Sequence, residues 1–131
     1  MKKLFFLFLA ITINSCSKDD KSDSANFTEK YDDVVWSADD TDGRTYFMAF
    51  SFDQNILNLW DDTFGDCDIM PFSIEEVHSE NIIVLIDDDD KWMFVVINNG
   101  DNLNILEYAQ NIDDWELMES LNHSNTTNHC M

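Results

Sequence analysis

The sequence predicts an all-β protein, an antiparallel up-and-down meander of about eight strands that closes into a small barrel. Three observations lead there. Apolar residues alternate singly along several segments, as in strands with one buried face. Clusters of Asn, Asp and Gly recur every ~8–12 residues, the spacing of turns in a meander. Ten Phe and four Trp among 131 residues give the chain enough apolar area to form a core, despite its charge.

Val34-Val35-Trp36 reads as a first strand that turns at Asp42-Gly43. Alternation is clearest in Tyr46-Phe47-Met48-Ala49-Phe50-Ser51-Phe52, where Tyr46, Met48, Phe50 and Phe52 share a face. Asp53-Gln54-Asn55 is a short hairpin turn, and residues 56–60 form its second arm. Residues 68–77 hold one strand, with Pro71 placing it near an edge or bulge because proline lacks a ladder donor. Residues 82–86 and 92–97 are apolar on both faces, the pattern of strands buried on two sides, and Asp87 to Asp90 separate them. Asn98-Asn99-Gly100-Asp101 is the strongest turn signal, since Asn and Gly accept positive φ. Residues 103–108 alternate again. Trp115, Met118 and Leu121 fit a helix, while Trp115, Leu117 and Leu121 fit a strand; the even strand spacing favours the strand.

Ahead of this body lies an export signal. Lys2 and Lys3 form a positive start, an apolar run of ten residues follows, and Asn14-Ser15-Cys16 closes it. A membrane-spanning helix needs about 20 apolar residues, so the run is too short to be one. Ile13-Asn14-Ser15-Cys16 resembles a lipobox. The resemblance implies cleavage before Cys16 and lipidation of its thiol, with palmitate-like chains attaching the protein to the outer membrane. Ser17-Lys18-Asp19-Asp20 is similar to the acidic signal that sends lipoproteins of Bacteroidota to the cell surface. Asp23-Ser24-Ala25 resembles the site at which exported proteins of that group are O-glycosylated, on Ser24. The expected organisation is a signal peptide over 1–15, a lipidated cysteine and tether over 16–30, a β domain over 31–121 and a polar tail over 122–131.

Charge narrows the partners. The chain carries 27 acidic and 7 basic residues, a formal net charge of −20, and loss of Lys2 and Lys3 with the leader makes the rest more acidic. Such a field repels phosphate backbones and excludes nucleic acid. It attracts cations and basic proteins.

No catalytic residue is identified. In Asp39-Asp40-Thr41-Asp42-Gly43, a calcium-loop register puts Ala38 and Ala49 at the end positions that need carboxylates, so the segment reads as a turn. Asp87 to Asp90 read as a solvated loop. His123, His129 and Cys130 match no zinc spacing. His78, among Glu75, Glu76 and Glu80, lacks a nucleophile to activate. No metal or other cofactor is expected, and no enzymatic activity. Cys67 and Cys130 are either free thiols or a disulfide closing 63 residues.

Residues 31–121, with an early Val-Val-Trp and aromatic hairpins behind a lipidated tether, resemble the small lipocalin-like lipoproteins of Bacteroidota. That resemblance implies a binding module, with Tyr46, Met48, Phe50, Phe52, Trp60, Trp92 and Phe94 lining an apolar interior for a small hydrophobic ligand. A small barrel can also fill its interior with its own side chains. The rival readings are an acidic protein that captures a cationic macromolecule, and a structural surface protein with no small ligand.

Overall fold

A computed structural model describes residues 26–130; Cys16, the Ser17-Lys18-Asp19-Asp20 stretch and Ser24 lie outside the described residues. The Asn26 side chain accepts from the Glu29 backbone N–H and so caps a one-turn helix, α1 (Phe27–Lys30). Eight strands follow: β1 (Val35–Asp39), β2 (Thr45–Ser51), β3 (Ile56–Asp61), β4 (Asp68–Val77), β5 (Asn81–Ile86), β6 (Asp90–Ile97), β7 (Asn102–Ala109) and β8 (Asp114–Ser124). Each pairs antiparallel with the next. The barrel closes where β8 returns to β1 through Val35↔Ser124, Trp36↔His123 and Ser37↔Asn122. Closure gives every strand a partner on each side, though β8 meets β1 only over residues 122–124.

Local chemistry sets the turns. Asn98, Asn99 and Gly100 have φ of 55°, 56° and 93°, the left-handed conformation that Asn and Gly tolerate. Asn55 and Asp87 do the same in their turns. Pro71 takes the last pair with β3, opposite Ile56, and β4 joins β5 only from Phe72 onward, so its missing N–H interrupts no ladder. The bulge comes later in β4, between Ile74 and Glu76. The ambiguous segment around Trp115 is strand, as the spacing favours.

Inward-facing residues form the main core. Trp36, Phe50, Phe94, Ile82, Val84 and Leu103 are fully buried in it. The Phe52 ring lies parallel to Phe50 at 4.9 Å, and Phe27 meets Phe50 edge-on at 5.6 Å. Phe27 therefore belongs to the core although it falls in the stretch expected to be tether. Its backbone N–H donates to the His78 carbonyl at 2.8 Å, and the Tyr31 hydroxyl donates to Glu80 at 2.6 Å. The helix plugs one end of the barrel.

The two strands expected to be buried on both faces are buried on one. In β5, Ile82, Val84 and Ile86 are buried, while Asn81, Ile83 and Leu85 are only half-buried. A closed barrel has one interior, so aliphatic residues on its outer wall stay partly wet.

A second apolar cluster lies on the outside. Val35, Phe47, Ala49 and Trp60 pack together, with Cys67 and Cys130 against them. Cys67 and Cys130 are joined in a disulfide, with Cα atoms 6.0 Å apart. The expected polar tail begins inside β8, which continues to Ser124. Its last residues run as a strap back along the outer wall: Asn128 donates to Asp33 at 3.2 Å, and His129 Nε2 lies 3.0 Å from the Gly65 carbonyl.

Candidate functional site: the distal mouth

An up-and-down meander sends its turns alternately to the two ends. The β2–β3, β4–β5 and β6–β7 turns, helix α1 and the end of β8 share the proximal end. The β1–β2, β3–β4, β5–β6 and β7–β8 turns share the distal end. The chain enters the barrel at the proximal end.

Both ends are acidic, the proximal one through Asp32, Asp33, Asp53, Glu80 and Asp101, but they differ in filling. Proximally, Phe27 and its aromatic neighbours occupy the interior. Distally, a cavity of about 150 Å³ is lined by Met48, Leu57, Leu59, Met70, Trp92, Ile105, Met118 and Glu119. Glu119 pairs with Ile105, whose side chain is buried inside, so the interior face turns acidic toward the mouth. A groove of about 340 Å³ adjoins this cavity, sharing Leu59 and Glu119 and adding Asp61, Asp66 and Asp68. All four distal turns are acidic, from Asp39, Asp40 and Asp42 round to Asp87, Asp88 and Asp89, then Asp113.

Little positive charge offsets these carboxylates. Among the described residues the basic side chains are Lys30, Arg44 and Lys91, and each already stands beside a carboxylate: Glu80, Asp61 and Glu75 respectively. Two collar acids are held in the ionised form by their own turns. Asp40 lies below the usual carboxylate range because the backbone N–H of Arg44, and then that of Asp42, donate to it. Asp61 lies low because Thr63 donates to it from hydroxyl and backbone, with Arg44 nearby at 3.7 Å. These two carboxylates therefore hold their charge more firmly than a free aspartate would.

The expected interior residues divide. Met48, Phe50 and Phe94 are buried in the main core, and Phe52 and Trp92 pack partly buried against it. Trp92 also lines the distal cavity, and among the described residues its Nε1 has no acceptor. Two placements need correction. Tyr46 is 44% exposed, because the inward face of β2 reaches the mouth there and runs out of core. Trp60 is buried, 4% exposed, but on the outer wall: Leu57 and Leu59 take the inward positions of β3, and Trp60 stacks on Phe47 at 5.5 Å.

His129 and Cys130 act structurally. His129 lies edge-on to Phe64 at 5.5 Å, and Phe64 sits in the left-handed region at φ 53°, a costly place for a bulky residue. Stacking on Phe47 at 5.7 Å helps hold it there. Among the described residues no three His, Cys, Asp or Glu side chains are grouped so as to hold a metal ion. His123 stands edge-on to Trp36 at 5.7 Å.

Sequence reasoning missed three parts of this arrangement: the Phe27 plug, the strap over the outer cluster, and the Met118–Glu119 side of the mouth. One signal was available for the strap. Phe47, Ala49 and Ser51, on the supposed wet face of β2, carry no charge. Comparison with known proteins adds nothing further: no family model, curated protein or solved structure matches the chain.

Proposed function

We propose that the chain is a lipid-anchored, surface-exposed binding module with a lipocalin-like barrel. Cys16 carries the lipid, and residues 17–25 form the tether. The observation that supports this reading most is polarity. The tether joins the barrel at its plugged end, so the acidic mouth faces away from the membrane. In this reading the role of the mouth is recognition.

The interior also bears on what is bound. Pockets for drug-sized molecules run to about 300–1,000 Å³. The distal cavity, at about 150 Å³, is smaller. A largely self-filled barrel with a broad acidic end favours capture of a cationic macromolecule over enclosure of a small hydrophobic ligand.

The test is fractionation combined with surface labelling. Cys16→Ser is expected to leave the membrane fraction and lose its acyl mass. In intact cells of the wild type, a protease site inserted between Gln110 and Asn111, in the distal β7–β8 turn, is expected to be cut from outside. A membrane-retained, acylated Cys16→Ser protein would overturn the anchorage, and a site cut only after lysis would overturn the exposure.

A further inference from the structure

The distal cavity has an apolar floor, an acidic rim and room for little. At roughly 30 Å³ per water-sized group, about 150 Å³ accommodates some five such groups, the bulk of a lysine stem. Leu57, Leu59, Met70 and Trp92 suit methylene groups, and the methionine side chains can adjust to an irregular shape. Glu119 stands at the rim, with Asp61 and Asp68 in the adjoining groove, where a lysine would leave its ammonium.

We propose that this cavity is a lysine socket: one lysine side chain of a cationic protein inserts its stem between Leu59 and Trp92, and its ammonium meets Glu119. The inference rests on the binding-module reading and names the partner's chemistry. The extent of the charge selects a protein over a small amine. Acids crown all four distal turns, an area far wider than the socket, and only a partner with a basic surface of similar breadth meets them together. The crown steers and orients, while the socket supplies the buried anchor at the centre of the interface.

The probe is hexalysine, titrated into the purified full chain in neutral detergent, with tryptophan emission and calorimetry as readouts. Binding is expected to weaken steeply between about 0.05 and 0.5 M salt and to change the emission through Trp92. Leu59→Phe, which fills the socket, and Glu119→Gln, which is exposed and leaves the core intact, are each expected to weaken binding about tenfold. Asp88→Asn, out in the crown, should cost little. Circular dichroism and unfolding midpoints verify that Leu59→Phe folds; should it fail to fold, Glu119→Gln alone decides. Equal binding by wild type and Glu119→Gln would mean diffuse attraction only and overturn the socket. So would hexylamine binding as tightly as hexalysine, or no hexalysine binding at all. None of these results depends on lipid or on surface exposure, so they are separable from failure of the anchorage reading.

Discussion

The Phe50 ring meets the Phe94 ring edge-on at 4.8 Å, with an interplanar angle of 88°, joining β2 to β6 across the barrel axis. Both residues are fully buried, and with Phe27 against Phe50 they close the proximal interior. This contact separates a filled barrel from an open cup.

Phe50→Ala is therefore expected to cost about 3–5 kcal/mol, the usual loss when a buried aromatic leaves a cavity. Against a typical total of 5–15 kcal/mol, that is a large share. Urea unfolding measures it directly. A loss under 1 kcal/mol would mean the interior tolerates a void, as the wall of a ligand pocket does.

Reduction should loosen the strap. The Cys67–Cys130 bond closes 63 residues, worth about 4 kcal/mol in the chain-entropy model. Cys130→Ser is expected to lower the unfolding midpoint and to expose Trp60 and Phe47, shifting tryptophan emission to the red. The main core should remain folded. An unchanged midpoint in the presence of reductant would show that the strap contributes nothing.

Tyr31 links stability to alkaline pH. Burial, then the hydrogen bond to Glu80 and the negative charge of Glu80, push its hydroxyl from 10.0 up to about 12. The folded state thus holds this proton more tightly than the unfolded chain does. Its contribution is fully present below pH 10 and is lost as pH rises toward 12. Tyr31→Phe should flatten that decline in denaturant titrations across this window. Glu80 works in the opposite direction: Lys30 and then Tyr31 lower its carboxyl, so its contribution is present above the ordinary carboxylate range and is lost as pH falls. With the Glu80 side chain 46% exposed, this ion pair belongs to the surface class, worth about 0–1 kcal/mol.

Alanine at Lys18, Asp19 and Asp20 is expected to leave the protein acylated but hidden from external protease. Unchanged protease sensitivity would reduce the stretch to a plain linker. Intact mass from the native host would show whether Ser24 carries a glycan.

The strands and their order were legible because alternation and turn chemistry are local. Tyr46 to Phe52 announced β2, and Asn99-Gly100 announced its turn, without knowledge of the rest. What failed was assignment of faces. Trp60 is as apolar as Leu59, and nothing local says which of them points inward; that depends on register with β2 and on a strap arriving from Cys130. Phe27 was obscured for a similar reason. A single aromatic in a polar stretch reads as tether until the barrel end that it plugs is known. The mouth was hardest to read, since Glu119 joins Leu59 only through closure of β8 onto β1.

That closure is short, with three residue pairs between β1 and β8 against eight between β7 and β8. Consider tension applied at the N-terminal side of the barrel, as a lipid anchor of the proposed kind would apply it. Tension enters at Asn26, passes along the backbone into α1, which the Phe27–His78 hydrogen bond ties to the β4–β5 turn, and then peels β1 from the seam pair by pair, like a zipper. The helix yields first and the seam second, while the covalent tie from Cys130 to Cys67 spans the opening wall and limits how far it parts. The β5–β6 and β7–β8 turns lie off that line of force. They can lengthen, shorten or exchange residues without weakening the seam, so the distal end is mechanically free to diversify.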